Sequence, residues 1–309
     1  MEFSRRQLLA TAVSLTSLTV LTACSRSGRQ STVLLVDSPA PPPVEDQFAV
    51  LEDRYNAKVG FYGRDLGSNR TLGYREDDMF ATCSAFKAYV AAAILQKVQQ
   101  GDLTLTNEVF IDPAMVVPVA SPITAPKVGG WMPLSDLCAA AVRQSDNTAT
   151  NLMLEILGGP ASVTEFARSV GDDRTWMVRW EPELNSALPG DPRDTSTPRA
   201  IGTGFLTMLT GDILDDPYRA QLNEWMNTIV TGDTRIRAGL PPGWGIADKT
   251  GAGDYASTND IGVASGPNGE RLVLSVMTRT RSDDPDTARS EPLIAEVTAL
   301  AVPWLLSQT

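Results

Sequence analysis

The first chemistry that the sequence suggests is nucleophilic catalysis by a serine without a histidine. The 309-residue chain contains no histidine, so a Ser-His pair is excluded and a zinc site would lack its commonest ligand. Ser84 and Lys87 stand three residues apart in a Ser-Ala-Phe-Lys motif. A serine hydroxyl needs a positioned base at neutral pH, so the base must be a lysine, a carboxylate or a water between them.

A helix would give this pair its geometry. Residues 82–101 follow an alanine-rich helical pattern that ends at Gly101. At the start of that helix, Ser84 would lie where backbone amides point outward and the helix dipole favours a developing anion. Lys87 would follow on the same face, within reach of the serine oxygen. The alternative is a capping serine beside a solvated lysine.

Two further motifs are uninformative alone but carry suitable groups. Residues 145–147 read Ser-Asp-Asn and open a predicted helix, so they offer a hydroxyl and an amide, although the motif is also an ordinary helix cap. Residues 249–251 read Lys-Thr-Gly and end a predicted strand, with glycine where a backbone must approach a ligand closely.

The segment 176–196 is rich in proline and irregular, as functional loops often are. Glu181 and Asn185, four residues apart, would share one water if the loop turns helically, and a desolvated carboxylate there would be a general base. Arg179 and Asp194 would clamp the ends of the loop as a salt bridge. A solvated acidic loop is the alternative.

The elements that must position these groups are helical in the middle of the chain and extended at both ends. The pattern predicts helices over residues 46–56, 134–143, 148–157, 161–170, 198–209, 218–230 and 291–302. It predicts strands over residues 58–64, 71–75, 245–250, 260–264 and 271–278. The predicted fold is α/β (α+β), with an antiparallel sheet built from both termini and flanked by helices, plus an all-helical insert.

The N-terminus resembles an export signal rather than a fold element. Residues 1–24 contain a twin arginine, a short apolar stretch and Leu-Thr-Ala-Cys ending at Cys24, which resembles a Tat-type lipoprotein signal. An ordinary secretory signal with a chance cysteine is the alternative. Residues 25–45 would form a proline-rich tether. The domain would span 46–309, with an α/β part at 46–80 and 231–309 and an all-α part at 81–230.

Charge and cysteine content narrow the partners. The net charge of the whole chain is −11. Residues 1–30 hold four arginines and one glutamate, so the rest of the chain is more acidic than the whole. Nucleic acid and anionic membranes would repel so acidic a body, so a small-molecule partner is expected, with membrane association only through a lipid on Cys24. Cys83 and Cys138 fall in apolar helical patterns, which favours buried free thiols over a bridge. A monomer is the default expectation.

Taken in chain order, the Ser-x-x-Lys, Ser-Asp-Asn, Glu181 to Asn185 and Lys-Thr-Gly elements resemble the class A serine β-lactamases. The resemblance covers residues 46–309 and is closest in character to actinobacterial and mycobacterial members. It implies that Ser84 opens the β-lactam ring and that Ser145 passes a proton to the ring nitrogen. Either Lys87 or Glu181, through a water, would be the acylation base, and Glu181 with Asn185 would position the deacylating water.

The same resemblance implies the binding groups, without a metal or an organic cofactor. The backbone amide of Ala252, together with that of the nucleophile, would form the oxyanion hole. Asn147 would hold the acylamino side chain of the substrate. The strand end Lys249, Thr250 and Gly251 would receive the substrate carboxylate.

Two positions depart from the commonest pattern of that family. Many members carry an arginine where this chain has Thr258, and Arg235 matches the alternative source of that guanidinium in actinobacterial enzymes; a surface arginine is the competing interpretation. Ala120 replaces a residue that is often bulky, so we expect a wide and less selective mouth.

Two other functions fit part of the pattern. A D-alanyl-D-alanine peptidase shares the serine, the lysine and Lys-Thr-Gly but lacks a deacylating acid such as Glu181. A covalent β-lactam sensor would need an effector or a transmembrane segment, and no segment after the signal is long and apolar enough to be one.

Overall fold

The computed structural model describes residues 42–307. The predicted signal peptide, with Cys24, and most of the predicted tether lie outside the described residues. Within them the α-helices are α1 (Val44–Tyr55), α2 (Lys87–Gln99), α3 (Leu134–Arg143), α4 (Asn147–Leu157), α5 (Ala161–Ser169), α6 (Pro198–Thr210), α7 (Asp216–Asn227), α8 (Ile236–Gly239) and α9 (Glu291–Leu306). The strands are β1 (Ala57–Asp65), β2 (Thr71–Tyr74), β3 (Phe80–Ala81), β4 (Glu108–Phe110), β5 (Trp131–Pro133), β6 (Thr195–Ser196), β7 (Gly245–Ala252), β8 (Thr258–Ser265) and β9 (Arg271–Thr280).

The main sheet is built from both ends of the described chain. Its strand order is β2-β1-β9-β8-β7, and neighbouring strands are antiparallel. The first strand pairs with the last, with Val59 opposite Thr278. The predicted antiparallel sheet, with strands contributed from both termini, is therefore confirmed.

Helices cover both faces of this sheet. Consecutive side chains of a strand point to opposite faces, and Phe61 joins a core with α1 and α9 whereas Tyr62 joins the larger helical core. Helix α6 packs on β1, β8 and β9. This helix belongs to the predicted insert, so the insert also covers one face of the sheet.

The middle of the chain is organised around α2, whose residues Lys87 to Leu95 are all buried. The predicted single helix over residues 82–101 is wrong at its start, because a 3₁₀ turn (Cys83–Phe86) precedes α2. The middle also holds two small strand pairs, β3 with β6 and β4 with β5, which the helical pattern did not predict.

Cys83 and Cys138 are buried free thiols, as predicted. None of the helices between residues 42 and 307 has the length and apolar character needed to cross a bilayer.

Candidate active site

A cavity of about 1140 Å³ lies where β7 meets the helical part of the chain. Most of the predicted site residues line it: Ser84, Ser145, Asn147, Asn185, Arg235, Thr250, Gly251 and Ala252. Lys87, Glu181 and Lys249 are buried next to these residues and contact them through their polar atoms. The structure thus brings together every predicted site residue except Cys24, which lies outside the described residues.

Ser84 lies in the 3₁₀ turn that leads into α2. The turn is held from two sides, since Thr82 N donates to Asp194 O (2.9 Å) and Asn259 Nδ2 donates to Thr82 O (3.0 Å). A Cβ at position 251 would lie 2.6 Å from Thr82 O. Only glycine therefore allows β7 to approach the serine turn this closely.

Lys87 and Glu181 form a buried ion pair, with 3.0 Å between Nζ and Oε1 and both side chains at 0% exposure. Lys87 Nζ also donates to Ser145 O (2.8 Å) and to Asn147 Oδ1 (2.5 Å). Burial lowers the pKa of the Lys87 ammonium, and the Glu181 carboxylate opposes that shift.

The nucleophile contacts the acid rather than the lysine. Ser84 Oγ donates to Glu181 Oε1 at 3.4 Å. The predicted direct hydrogen bond between Lys87 and Ser84 is wrong for this structure, because the hydrogen bonds of Lys87 Nζ within residues 42–307 go to Ser145 and Asn147. One glutamate oxygen therefore lies within reach of both Ser84 Oγ and Lys87 Nζ.

The loop that carries Glu181 is fixed at several points. The predicted clamp is present, with 2.5 Å between Arg179 Nε and Asp194 Oδ2. Asn151 holds the backbone of Glu181 on both sides, accepting from its N–H (3.0 Å) and donating to its carbonyl (2.8 Å). Glu181 is 2% exposed, so a solvated acidic position is excluded. Asn185 Nδ2 donates to Glu181 Oε2.

Sequence reasoning missed Asn151. A signal was available, because this asparagine follows Asn147 by one helical turn on the same face of α4 and is also buried.

Lys249 is a second fully buried lysine, and within residues 42–307 it forms no ion pair. Its Nζ donates to Ser145 Oγ (3.2 Å) and to Thr250 O (3.0 Å). Burial, followed by the charges of Lys87 and Arg235, lowers the pKa of Lys249 to about 7. Ser145 Oγ thus lies between two lysines, because Lys87 Nζ approaches it at 3.5 Å.

Arg235 is 4% exposed, so its interpretation as a surface arginine is wrong. Its guanidinium donates to Gly251 O (2.9 Å) and Asn259 O (2.8 Å), which brings it beside Thr258 on β8. It also pairs with Glu291 at 2.9 Å. Sequence reasoning missed Glu291, since only the tertiary fold brings this residue to the site.

Thr231 is a further contact that was not predicted, 2.6 Å from the Thr250 hydroxyl. No group of three or more Cys, Asp or Glu side chains in residues 42–307 is arranged to hold a metal ion.

Comparisons with known proteins agree with this geometry. The model of the "Beta-lactamase enzyme family" matches residues 43–305. A beta-lactamase of Amycolatopsis lactamdurans is 43% identical over 265 residues, covering 86% of each chain. A beta-lactamase of Mycobacterium tuberculosis is 39% identical over 298 residues, covering 95% of each.

Two solved structures show the same fold. The beta-lactamase from Desulfarculus baarsii has a TM-score of 0.82 at 40% identity, covering 86% of this chain and 98% of that one. A class A beta-lactamase representing the last common ancestor of Gram-negative bacteria has a TM-score of 0.80 at 44% identity, with coverages of 84% and 98%.

Proposed function

Because this chain belongs to the beta-lactamase enzyme family, as a class A member that hydrolyses β-lactam antibiotics, we propose that it acts through an acyl-enzyme on Ser84. Resistance to these antibiotics follows from their hydrolysis. In the first step Ser84 Oγ attacks the ring carbonyl and the ring C–N bond breaks. The backbone amides of Ser84 and Ala252, both at the cavity wall, would stabilise the oxyanion.

The proton of Ser84 has two possible acceptors. Glu181 Oε1 is 3.4 Å from Ser84 Oγ and can take the proton directly or through a water. Lys87, whose pKa burial lowers, could act in its neutral form. Ser145, between Lys87 and Lys249, would pass a proton to the ring nitrogen as that nitrogen leaves.

One observation carries the second step, the release of the acyl group. Asn185 donates its Nδ2 to Glu181 Oε2, while its buried Oδ1 has no partner within residues 42–307. A water placed between that oxygen and Glu181 would donate to both, so Glu181 would remove a proton from it as it attacks the ester. A β-lactamase needs this step, whereas a penicillin-inhibited peptidase lacks it.

Recognition of the substrate would rest on the cationic side of the cavity. The carboxylate of the β-lactam would bind to Lys249, Thr250 and Arg235. Lys249 and Arg235 are cationic, and Lys249 forms no ion pair with a carboxylate of residues 42–307. Asn147, which also lines the cavity, would hold the acylamino group. Ala120 lines the mouth with a small side chain and supports a broad substrate range.

The test is turnover of a chromogenic cephalosporin in excess by wild type, Glu181→Gln and the control Glu183→Gln. Glu183 is exposed on the same loop, two residues away. We expect sustained turnover by wild type and by the control. For Glu181→Gln we expect a loss of roughly 10²–10⁴-fold in kcat, with the Ser84 adduct visible by intact mass.

The other outcomes separate the alternatives. A burst of one equivalent by wild type would support a peptidase or a sensor. An inactive Glu181→Gln variant without a Ser84 adduct would show that Glu181 is required for acylation, whereas a Glu181→Gln variant that releases the acyl group as fast as wild type would contradict the deacylation role. If this variant still acylates rapidly, Lys87 is the acylation base.

We also propose that the protein is an exported monomer, held at the outer face of the cytoplasmic membrane by a lipid on Cys24. Mass spectrometry of the native protein would show the diacylglyceryl mass on Cys24, and Cys24→Ser would release the enzyme to the medium. An unmodified N-terminus in membrane fractions would contradict the anchor. Light scattering tests the monomer.

A further inference from the structure

Two buried carboxyl groups lie under the strand that carries Lys249 and take no part in the proposed chemistry. Asp248 on β7 and Asp260 on β8 are both at 0% exposure. The strand register places Thr250 opposite Asp260 and Asp248 opposite Gly262. Because opposite residues share a face of the sheet, the two carboxyls are diagonal neighbours on one face, and their side chains interact.

Each carboxyl has one satisfied oxygen and one orphaned oxygen. Asp248 Oδ1 accepts from Arg237 at 2.7 Å, and Asp260 Oδ2 accepts from the N–H of Ile236 at 3.0 Å. The other two oxygens, Asp248 Oδ2 and Asp260 Oδ1, are buried and have no donor within residues 42–307. A Cβ at Gly232 would lie 2.5 Å from Asp248 Oδ2, so the backbone closes over this oxygen.

We propose that Asp248 and Asp260 share one proton, which Asp248 Oδ2 donates to Asp260 Oδ1, and that this hydrogen bond fixes α8 so that Arg235 faces the substrate carboxylate. One proton satisfies both orphaned oxygens at once. It leaves Asp248 Oδ1 to accept from Arg237 and Asp260 Oδ2 to accept from Ile236. Two adjacent buried carboxylates without it would repel each other.

The electrostatic surroundings agree with one proton on the pair. Burial and then Asp260 raise the pKa of Asp248 well above its ordinary range, and burial also raises the pKa of Asp260. The cations whose charges act with the pair are Arg237 on α8, Arg235 before it and Lys249, which lies on the opposite face of β7. Helix α7 contributes backbone carbonyls, which accept from Arg237.

Arg235 immediately precedes Ile236, whose N–H is held by Asp260. The shared proton therefore acts on the substrate through the backbone of α8, and the two aspartates are positioning residues. A pair with a single negative charge is balanced by Arg237, so it adds no ion-pair partner to Arg235, which is paired with Glu291, or to Lys249. This inference rests on the proposed role of Arg235 in binding the substrate carboxylate.

The proton itself can be tested without any activity. Infrared spectra of wild type at pH 7 in D₂O are expected to show a protonated-carboxyl band that is absent from both Asp248→Asn and Asp260→Asn. The absence of this band in wild type would overturn the proposal. Failure of the protein to hydrolyse β-lactams would leave this result unchanged, so the two proposals are tested separately.

The variants test positioning. Either single asparagine supplies one N–H between the two side chains, so both single variants should keep KM for a carboxylate substrate within about twofold of wild type. The double variant cannot satisfy Ile236, Arg237 and the shared contact together, so its KM should rise at least about tenfold while its kcat changes less. A double variant as stable and as active as the singles would show that this contact does not position Arg235, which would overturn the proposal.

The pH dependence of the free energy of unfolding tests the proposal even if the double variant does not fold. Above about pH 5 the unfolded chain has released the Asp248 proton that the folded chain keeps, so rising pH destabilises wild type. The unfolding equilibrium constant of wild type should therefore increase tenfold per pH unit relative to Asp248→Asn between about pH 5 and 6.5. The ratio of wild type to the exposed control Asp102→Asn should show no such slope. A ratio of wild type to Asp248→Asn that does not change with pH would contradict a shared proton.

Discussion

The site contains two buried lysines, of which one forms an ion pair with a carboxylate within the described residues and the other does not. Lys87 forms an ion pair with Glu181, so the charges beside Ser84 neutralise each other before a ligand binds. Lys249 lies at 0% exposure near Lys87 and Arg235 without an ion pair of its own in the described residues. Buried uncompensated charge is costly. The contrast indicates that an anionic group of the ligand forms the ion pair of Lys249, whereas Lys87 is already paired with Glu181.

The largest effect is expected when Lys87 is removed and the Glu181 carboxylate loses its ion-pair partner. Lys87→Met should lower kcat/KM by roughly 10²–10⁴-fold and destabilise the fold by about 3–5 kcal/mol, because Glu181 would remain buried and unpaired. Urea unfolding and steady-state kinetics measure both effects. Lys97→Met, exposed on the same helix, is the control.

Adding Glu181→Gln to Lys87→Met should restore stability without restoring activity. If the single and double variants unfold at the same urea concentration, the pair does not balance charge in the way described.

On the unbalanced side, Arg235→Ala should raise KM for a carboxylate substrate about 10- to 100-fold, since a charged hydrogen-bond partner is lost. We expect a smaller change in kcat, and Arg235→Lys should fall between the two. The exposed Arg54→Ala serves as the control. An unchanged KM would mean that Lys249 and Thr250 recognise the carboxylate without the guanidinium.

The lowered pKa of Lys249 gives a second test of the difference between Lys249 and Lys87. In the free enzyme Lys249 loses its proton as pH rises through about 7, so kcat/KM for a carboxylate substrate should fall by up to roughly tenfold per pH unit above that value. Lys249→Arg should remove this decline, because a guanidinium stays protonated. A wild-type profile that stays flat from pH 6 to 9 would contradict an uncompensated Lys249.

Stability should move in the opposite direction over the same range. Between about pH 7 and the unfolded lysine pKa of 10.5, the unfolded chain binds one proton more than the folded chain. The contribution of Lys249 to the free energy of unfolding therefore rises with pH. Comparison of wild type with Lys249→Met isolates this contribution.

The smallest effect concerns Glu291, which holds Arg235 from the rim of the cavity. Glu291→Gln should free the guanidinium and lower KM by up to about fivefold, in line with a partly exposed ion pair. A higher KM would show instead that Glu291 orients Arg235 productively.

The motifs could be predicted because each places its chemistry within a few residues. Ser84 to Lys87 and Glu181 to Asn185 are local spacings, and the Arg179 to Asp194 clamp joins the two ends of one recognisable loop. Glu291 and Thr231 could not be predicted, since their contacts depend on how distant segments pack. Strands of two or three residues, such as β3 and β4, are too short to show a period.

The sheet could also be predicted locally, because its longer strands are short runs between turn residues, such as the Gly-Pro-Asn-Gly turn between β8 and β9. The predicted start of α2 was wrong because hydrogen bonds from Thr82 to Asp194 and from Asn259 to Thr82 hold the serine in a 3₁₀ turn. Neither contact follows from local helix preference.

The pairing of β1 with β9 has a consequence for biosynthesis. A ribosome finishes the helix behind the serine long before it reaches β9, so a growing polypeptide cannot close the sheet early. Lys249 and Arg235 also emerge late. We therefore expect each newly made molecule to gain activity only after β7, β8 and β9 have been synthesised and the sheet has closed.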